Sequence, residues 1–201
     1  GDVTPTISGF TLTGWQFAIS TGPFNPSDGD YTVRNMTINS GNVGIIAFNS
    51  TGNWTLKNNA INDVGTGIDM YNASGNLRIV NTTYRSTTNP AIEVGDSSAN
   101  VVIEENSMQN TDVAIDRSGA SGDTTVTSTT ILQSKKGERG IKAAESSGNW
   151  TVNDTIITGS GADAVFAENT SGDWTIDNVT IQDSEDMGIE MDDSSGDWVI
   201  N

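Results

Sequence analysis

Ser147-Gly148-Asn149-Trp150-Thr151-Val152 decides the fold, because it comes back. Residues 171–176 read Ser-Gly-Asp-Trp-Thr-Ile, residues 195–200 read Ser-Gly-Asp-Trp-Val-Ile, and residues 51–56 read Thr-Gly-Asn-Trp-Thr-Leu. A motif that returns every 23–26 residues marks one structural unit copied along the chain. Units open at Asp30, Asn53, Asn76, Asn100, Asp123, Asn149, Asp173 and Asp197, most of them preceded by Gly. That is turn chemistry: Gly supplies φ > 0 and the Asx side chain bonds nearby backbone. An internal ladder of these side chains, bonding coil to coil, is the expected role of the column.

Each opening is followed by two apolar residues at period two, as in Trp54/Leu56, Leu77/Ile79, Val101/Ile103, Trp150/Val152 and Trp174/Ile176. Period two predicts a strand with the residue between, usually Thr, facing out. A second Asx-rich column follows at Asn35, Asn58, Asn81, Asp154 and Asn178, with Glu105 and Ser128 departing from it. One more apolar position recurs at Ile38, Ile61, Tyr84, Met108, Ile131, Ile157 and Ile181. A Gly-rich turn then leads to a last short strand, as in Ile45/Ala47, Ile68/Met70, Ile92/Val94 and Ile115. Three short strands per unit, with no 3.6-residue pattern, predict an all-β parallel solenoid of about eight coils. Stacked coils bury a core that one coil could not.

The reading places residues 1–201 in one domain. Residues 1–29 form an irregular first coil, in which Ile7, Phe10, Leu12 and Ile19 take the places of Val33, Met36, Ile38 and Ile45. Regular coils run over 30–196, with an insertion at the Lys135–Arg139 turn, and 197–201 begin a further coil. That last strand follows the acidic coil at 183–197 without a capping sequence. The expectation is therefore a piece of a longer chain, or a rod whose end stacks on another copy.

There are 26 acids against 9 bases, for a net charge of −17. Such a surface repels nucleic-acid phosphates and anionic lipid. No Cys and no His are present, which removes disulfides, thiolate metal sites and the usual general base. No apolar run is long enough to span a bilayer, and no stretch reads as a signal peptide. Acid-rich, lysine-poor composition fits a protein adapted to strong salt, where the Debye length falls to about 3 Å at 1 M.

Asn53-Trp-Thr-Leu-Lys-Asn-Asn-Ala-Ile61, followed by Gly65-Thr-Gly-Ile68, resembles the units of the right-handed parallel β-helix repeat proteins. The resemblance covers nearly the whole chain and supplies the handedness. It implies a range of functions, from polysaccharide lyases, hydrolases and virus spikes to adhesins and surface-layer components. The polygalacturonase-type motifs are missing apart from an isolated Asp192-Asp193. For a lyase, only Arg117 and Arg139 could serve as base.

Three other features carry chemistry. Trp150, Trp174 and Trp198 fall at one position of consecutive coils, on the same side as Val152 and Ile176. They are expected to stack as core residues rather than as a sugar platform. Asp69, Glu93 and Asp116 share an outward column, and Glu168, Asp192 and Asp193 form a second acidic patch. Either set offers oxygen ligands for weak Ca²⁺ binding, but a solvated stripe needs no ion and no cofactor is required. Among many Asn-x-Ser/Thr sequons, Asn49, Asn72 and Asn169 lie beside outer turns and are the glycan candidates, whereas Asn53 and Asn149 are expected to be buried in the ladder.

Together these readings point to an extracellular or cell-surface module: a rigid, acidic, glycosylated rod that is structural or adhesive. Its expected partners are further copies, end to end or side by side, and carbohydrate. The alternative is a β-helix that binds or cleaves polysaccharide.

Overall fold

The computed structural model describes residues 4–20, 28–132 and 139–201. The loop at 21–27 and Lys135, Lys136, Gly137 and Glu138 of the insertion lie outside the described residues. Every coil contributes one strand to a first face of nine parallel strands: Thr6–Ser8, Tyr31–Arg34, Trp54–Lys57, Leu77–Val80, Val101–Glu104, Thr124–Thr127, Trp150–Asn153, Trp174–Asp177 and Trp198–Ile200. The second and third faces form one 14-stranded sheet. Among the described residues no helix is long and apolar enough to cross a membrane.

The two later faces share a sheet because Thr37–Phe48 and Ala60–Tyr71 run unbroken through the corner between them. Three short strands per coil were expected, so these two coils differ. Their turns have equal length, and pairing continues through them at Gly41–Val64 and Val43–Thr66. The next coil breaks the ladder for two reasons. It spends one more residue between Tyr84 and Ile92 than its neighbour does between Ile61 and Ile68. It also carries Pro90, which has no N–H to donate.

The repeat fixes the register. Ile7 pairs with Val33, Leu12 with Ile38 and Ile19 with Ile45, so the first coil joins the stack. Phe10 is the exception: expected inside, it is 60% exposed. It stands on the outermost described coil, with a neighbouring coil on one side only. From Val33 to Ile176 the inward apolar positions form one continuous buried cluster.

A left-handed residue marks each corner of the triangle. The first column is Asn35, Asn58, Asn81, Glu105, Ser128, Asp154 and Asn178, all at φ between 47° and 55°. A second contains Ser40, Asp63, Ser86, Asn110, Gly159 and Asp183. A third contains Asn49, Asn72, Asp96, Gly119, Glu145, Asn169 and Asp193. Asn and Asp tolerate this conformation better than most side chains, which explains their frequency here. Before most coils open, a glycine comes very close to the backbone of the neighbouring coil, and Ala99 takes this place before Asn100. A Cβ on Gly172 would lie 2.0 Å from the Gly148 carbonyl oxygen, so close approach, and not a positive φ, requires glycine there.

Arg117, a charged residue, is fully buried. It occupies the column of Val94 and Ala143, and its guanidinium fills the corner that indoles fill in other coils. There it donates to the Thr124 hydroxyl at 3.0 Å and to the carbonyls of Val94, Ala99 and Gly122 at 2.9–3.1 Å. Burial lowers its pKa to about 10, opposed by Asp123, so it stays charged at neutral pH. Arg117→Ala should lose about 3–5 kcal/mol, because it strands those acceptors and leaves a cavity. Arg117→Lys should recover only part, since one ammonium cannot span all four partners. Urea unfolding followed by circular dichroism checks both.

Candidate functional site

The described residues form a cleft of about 370 Å³ on the third face, between Tyr71 and Lys142. Three neighbouring columns build it. The outermost inward-to-outward step places Asp69, Glu93, Asp116 and Lys142 in register on successive coils. Two residues further along the chain, Tyr71 is followed down the stack by Gly95, Ser118 and Ala144. After the large Tyr71 come three small residues, so the floor drops away beneath the phenol ring. Asp96, Gly119 and Glu145, from the left-handed corner, form the far wall.

The groups in the cleft are differently held. Asp116 is fixed: its Oδ1 accepts from the Ser118 N–H at 3.0 Å and the Ser118 hydroxyl at 2.6 Å, and its Oδ2 accepts from Lys142 Nζ at 3.0 Å. Glu93 is half-buried, and its pKa is raised by burial and by Asp69 and Asp116, with Lys142 opposing. Burial likewise raises Asp69. The Tyr71 ring is 50% exposed, and its hydroxyl hydrogen-bonds Asp96, which pushes the phenol pKa up. The cleft therefore offers a flat ring, a carboxyl that protonates readily and a carboxylate locked by an ammonium.

The candidates from sequence fall as follows. Asp69, Glu93 and Asp116 do share a column, but Lys142 occupies the next place and draws Asp116. Glu168 pairs in register with Asp192, and Asp193 turns the corner at φ 46°. Among the described residues no three carboxylates are placed to hold one metal ion. Arg117 as a lyase base is overturned: its side chain points into the core. Arg139 is bound to Asp163 at 3.1 Å and lies over the Phe166 ring.

Trp150, Trp174 and Trp198 stack face to face, with centroids 4.6 Å apart and planes within 5°. Trp150 and Trp174 are buried and present no surface to a ligand, while Trp198, on the last coil, is partly buried. Asn49, Asn72 and Asn169 are exposed corner residues, and the Asn72 amide donates to Asn49 Oδ1 at 2.6 Å.

The Asx ladder at the unit starts differs from expectation. It is exposed, not internal: Asn53 and Asn149 are both at the surface. The N–H of Asn53 donates to Asp30 Oδ1, that of Asn149 to Asp123, that of Asp173 to Asn149 and that of Asp197 to Asp173, all at 2.7–3.0 Å. Asp30, Asn76 and Asn100 belong to the same outer edge, where the Asn53 side chain accepts from the Asn76 N–H and Asn100 from Asp123. The small residue just before the Asx, Gly in most coils and Ala99 before Asn100, takes the inner place, which forces the Asx outward. The internal polar ladder is elsewhere, at Asn59, Thr82, Asn106, Thr129 and Thr155. Asn59 accepts from the Met36 N–H and donates to the Val33 carbonyl, and Asn106 repeats this with Thr82 and Ile79. Its signal is a polar residue directly after the five middle corner residues of the first column, Asn58, Asn81, Glu105, Ser128 and Asp154.

The architecture defines a β-solenoid repeat protein, all-β and wound about one core. Residues 10–131 match the family described as the right handed beta helix region, and the chain belongs to that family. No curated protein matches the sequence. Among solved structures, the chain is similar to QnrB1, a plasmid-mediated fluoroquinolone resistance protein, at 13% identity and a TM-score of 0.28, covering 92% of this chain and 91% of that one. It is also similar to the catalytic domain of a GH87 alpha-1,3-glucanase in complex with nigerose, at 11% identity and a TM-score of 0.23, covering 94% of this chain and 64% of that one.

The raised carboxyls make stability depend on pH with a definite sign. A carboxyl whose folded pKa is raised contributes stability in full below its ordinary value, and loses it as pH climbs through the folded value. For Glu93 the window opens near the ordinary glutamate value of 4.5 and extends upward. Glu93→Gln should therefore melt at the same temperature as the parent below that window and several degrees higher at pH 7. A melting series over pH 3.5–7.5 measures the difference. Asp69, Asp116 and Lys142, which face Glu93, are left unchanged in both proteins.

Proposed function

We propose that this chain is a rigid, acidic solenoid segment of an extracellular surface or filament protein, acting as a spacer or adhesive module. The observation that supports it is the in-register stacking of every described coil around one continuous core. Such a stack resists bending because each coil is bonded to the next along three faces. The acidic surface suits strong salt, where self-repulsion is screened. Sequons at exposed corners suit a glycosylated exterior, with Asn49, Asn72 and Asn169 as the acceptors. Immunogold labelling of intact cells should place the protein at the surface or along filaments, and recovery in the soluble cytosol would sink the reading. Its melting temperature should rise by about 10 °C or more between 0.1 M and 2 M KCl; a fall would remove adaptation to salt.

The Tyr71 cleft favours a second reading, carbohydrate binding. Flat rings suit sugar faces, and Glu93, Asp96, Asp116, Ser118 and Lys142 supply donors and acceptors at its rim. Four carboxylates against one ammonium favour neutral or amino-bearing saccharides over uronate polymers. A glycan array should find such a ligand, and Tyr71→Ala should weaken it about tenfold or more. Equal binding by the variant would remove the cleft from consideration.

A further inference from the structure

A second cavity, of about 420 Å³, lies at the second corner, on the three coils that carry Gly41, Gly65 and Thr88. Small-ligand sites span roughly 300–1,000 Å³, so it has the size of one. Its origin is local. Two coils pass this corner as the unbroken strands Thr37–Phe48 and Ala60–Tyr71, and both put glycine there. The backbones come too close for a larger residue. A Cβ on Gly65 would lie 2.4 Å from the Asn42 carbonyl oxygen, and one on Gly41 would lie 2.7 Å from that of Trp15. The next coil spends its extra residue between Tyr84 and Ile92, and in that stretch Ser86 and Thr88 border the cavity.

The polar groups of this cavity are uncommitted. Other amides of the surface bond from coil to coil: Asn58 donates to Asn35, Asn62 to Asn39 and Asn72 to Asn49. Asn42 has Gly65 as its counterpart, so it meets no amide there. Its side chain, the Asp63 carboxylate and the Thr88 hydroxyl make no hydrogen bond or ion pair among the described residues. Ser86 Oγ accepts from the Asn110 amide at 3.3 Å and keeps its own proton to donate. Trp15 stands one coil away from Gly41 and Asn42. Its carbonyl accepts from the Asn42 N–H at 3.1 Å, and the residue is 57% exposed.

We propose that this corner binds an uncharged saccharide, with the Trp15 indole against one face of a sugar ring. The lining selects the class. Asp63 accepts hydrogen bonds, Asn42 gives and accepts them, and the Ser86 and Thr88 hydroxyls do both, which matches neighbouring sugar hydroxyls. No base lines the cavity, so Asp63 repels a carboxylate or phosphate ligand. Asp63 is its one acid, and among the described residues no three acids are placed to hold a metal ion. An indole offers sugar C–H groups a flat apolar surface. The site is separate from the Tyr71 cleft and does not depend on it. Gly65 and Tyr71 lie on one strand with six residue steps between them, a distance of roughly 20 Å.

Trp15 also supplies the readout. Trp54, Trp150 and Trp174 are 1–2% exposed and Trp198 is partly buried, so acrylamide quenches mainly Trp15 in the full chain. Maltopentaose, cellopentaose and N-acetylchitopentaose, each titrated to millimolar concentration, are the probes. At least one should protect Trp15 from quenching. Asn42→Ala/Asp63→Asn should weaken that protection about tenfold or more. Asn is chosen at position 63 because the residue is left-handed, at φ 53°. Tyr71→Ala should leave the protection unchanged. Circular dichroism confirms that each variant is folded. Failure of all three sugars to protect Trp15 overturns the proposal, and so does protection indifferent to Asn42→Ala/Asp63→Asn. Protection lost in Tyr71→Ala would place the sugar in the other cleft and equally overturn it. Protection by the cationic glucosamine pentamer alone would replace the uncharged saccharide with an amine, with the same consequence.

Discussion

Everything in this molecule depends on the parallel backbone ladder between successive coils. Once Trp150 pairs with Trp174 and Trp174 with Trp198, every other residue of those coils is placed above its counterpart. Strands in such a ladder lie about 4.8 Å apart, close to the distance at which aromatic rings stack. A repeat therefore becomes a set of columns, and each column is judged by how well a side chain tolerates its own kind. Indoles, amides and aliphatic groups do so well. The amide of Asn58 donates to Asn35 and accepts from Asn81 without any change of residue type.

Carboxylates do not tolerate their own kind, and the sequence shows where that limit was met. The column that runs through Asp69, Glu93 and Asp116 turns to Lys142 and then Phe166. The ammonium draws in the nearest acid, while burial makes Asp69 and Glu93 hold a proton more tightly, helped at Glu93 by its acidic neighbours. The same reversal of charge relieves strain within the stack and gives the Tyr71 cleft its mixed character. Arg117 answers a different problem. Where the aromatic column thins to Leu77, Val101 and Thr124, a guanidinium fills the corner and satisfies carbonyls that no indole could reach.

The three faces have separate characters. The first carries Arg34 and Lys57 on its early coils, the Arg78–Glu104 pair at its middle and Asp177 near its end. The third carries the cleft, because one large ring is followed by Gly95, Ser118 and Ala144. The corners hold the left-handed residues, whose side chains point into solvent. A rod built this way separates stiffness, which is a property of the core, from recognition, which is a property of whichever outward column varies. This separation is what lets one family of folds serve as spacer, adhesin or enzyme.

The repeat alone determined the solenoid, the inward apolar positions and the Trp column, because a period of two inside a period of about 24 admits no other packing. It also marked the first corner, since Asn and Asp announce a left-handed residue. Handedness came from family resemblance. The tertiary structure decided what identity could not. Arg117 is charged, so its type argues for the surface, yet only the neighbouring coils create the acceptors that hold it inside. The Asx at each unit start looked internal by its regularity, and the preceding glycine's contact with the coil above sends it outward. The cleft depends on three small residues lying below one tyrosine, residues 23 or more positions apart. No local pattern records that juxtaposition, because coil-to-coil pairing makes it.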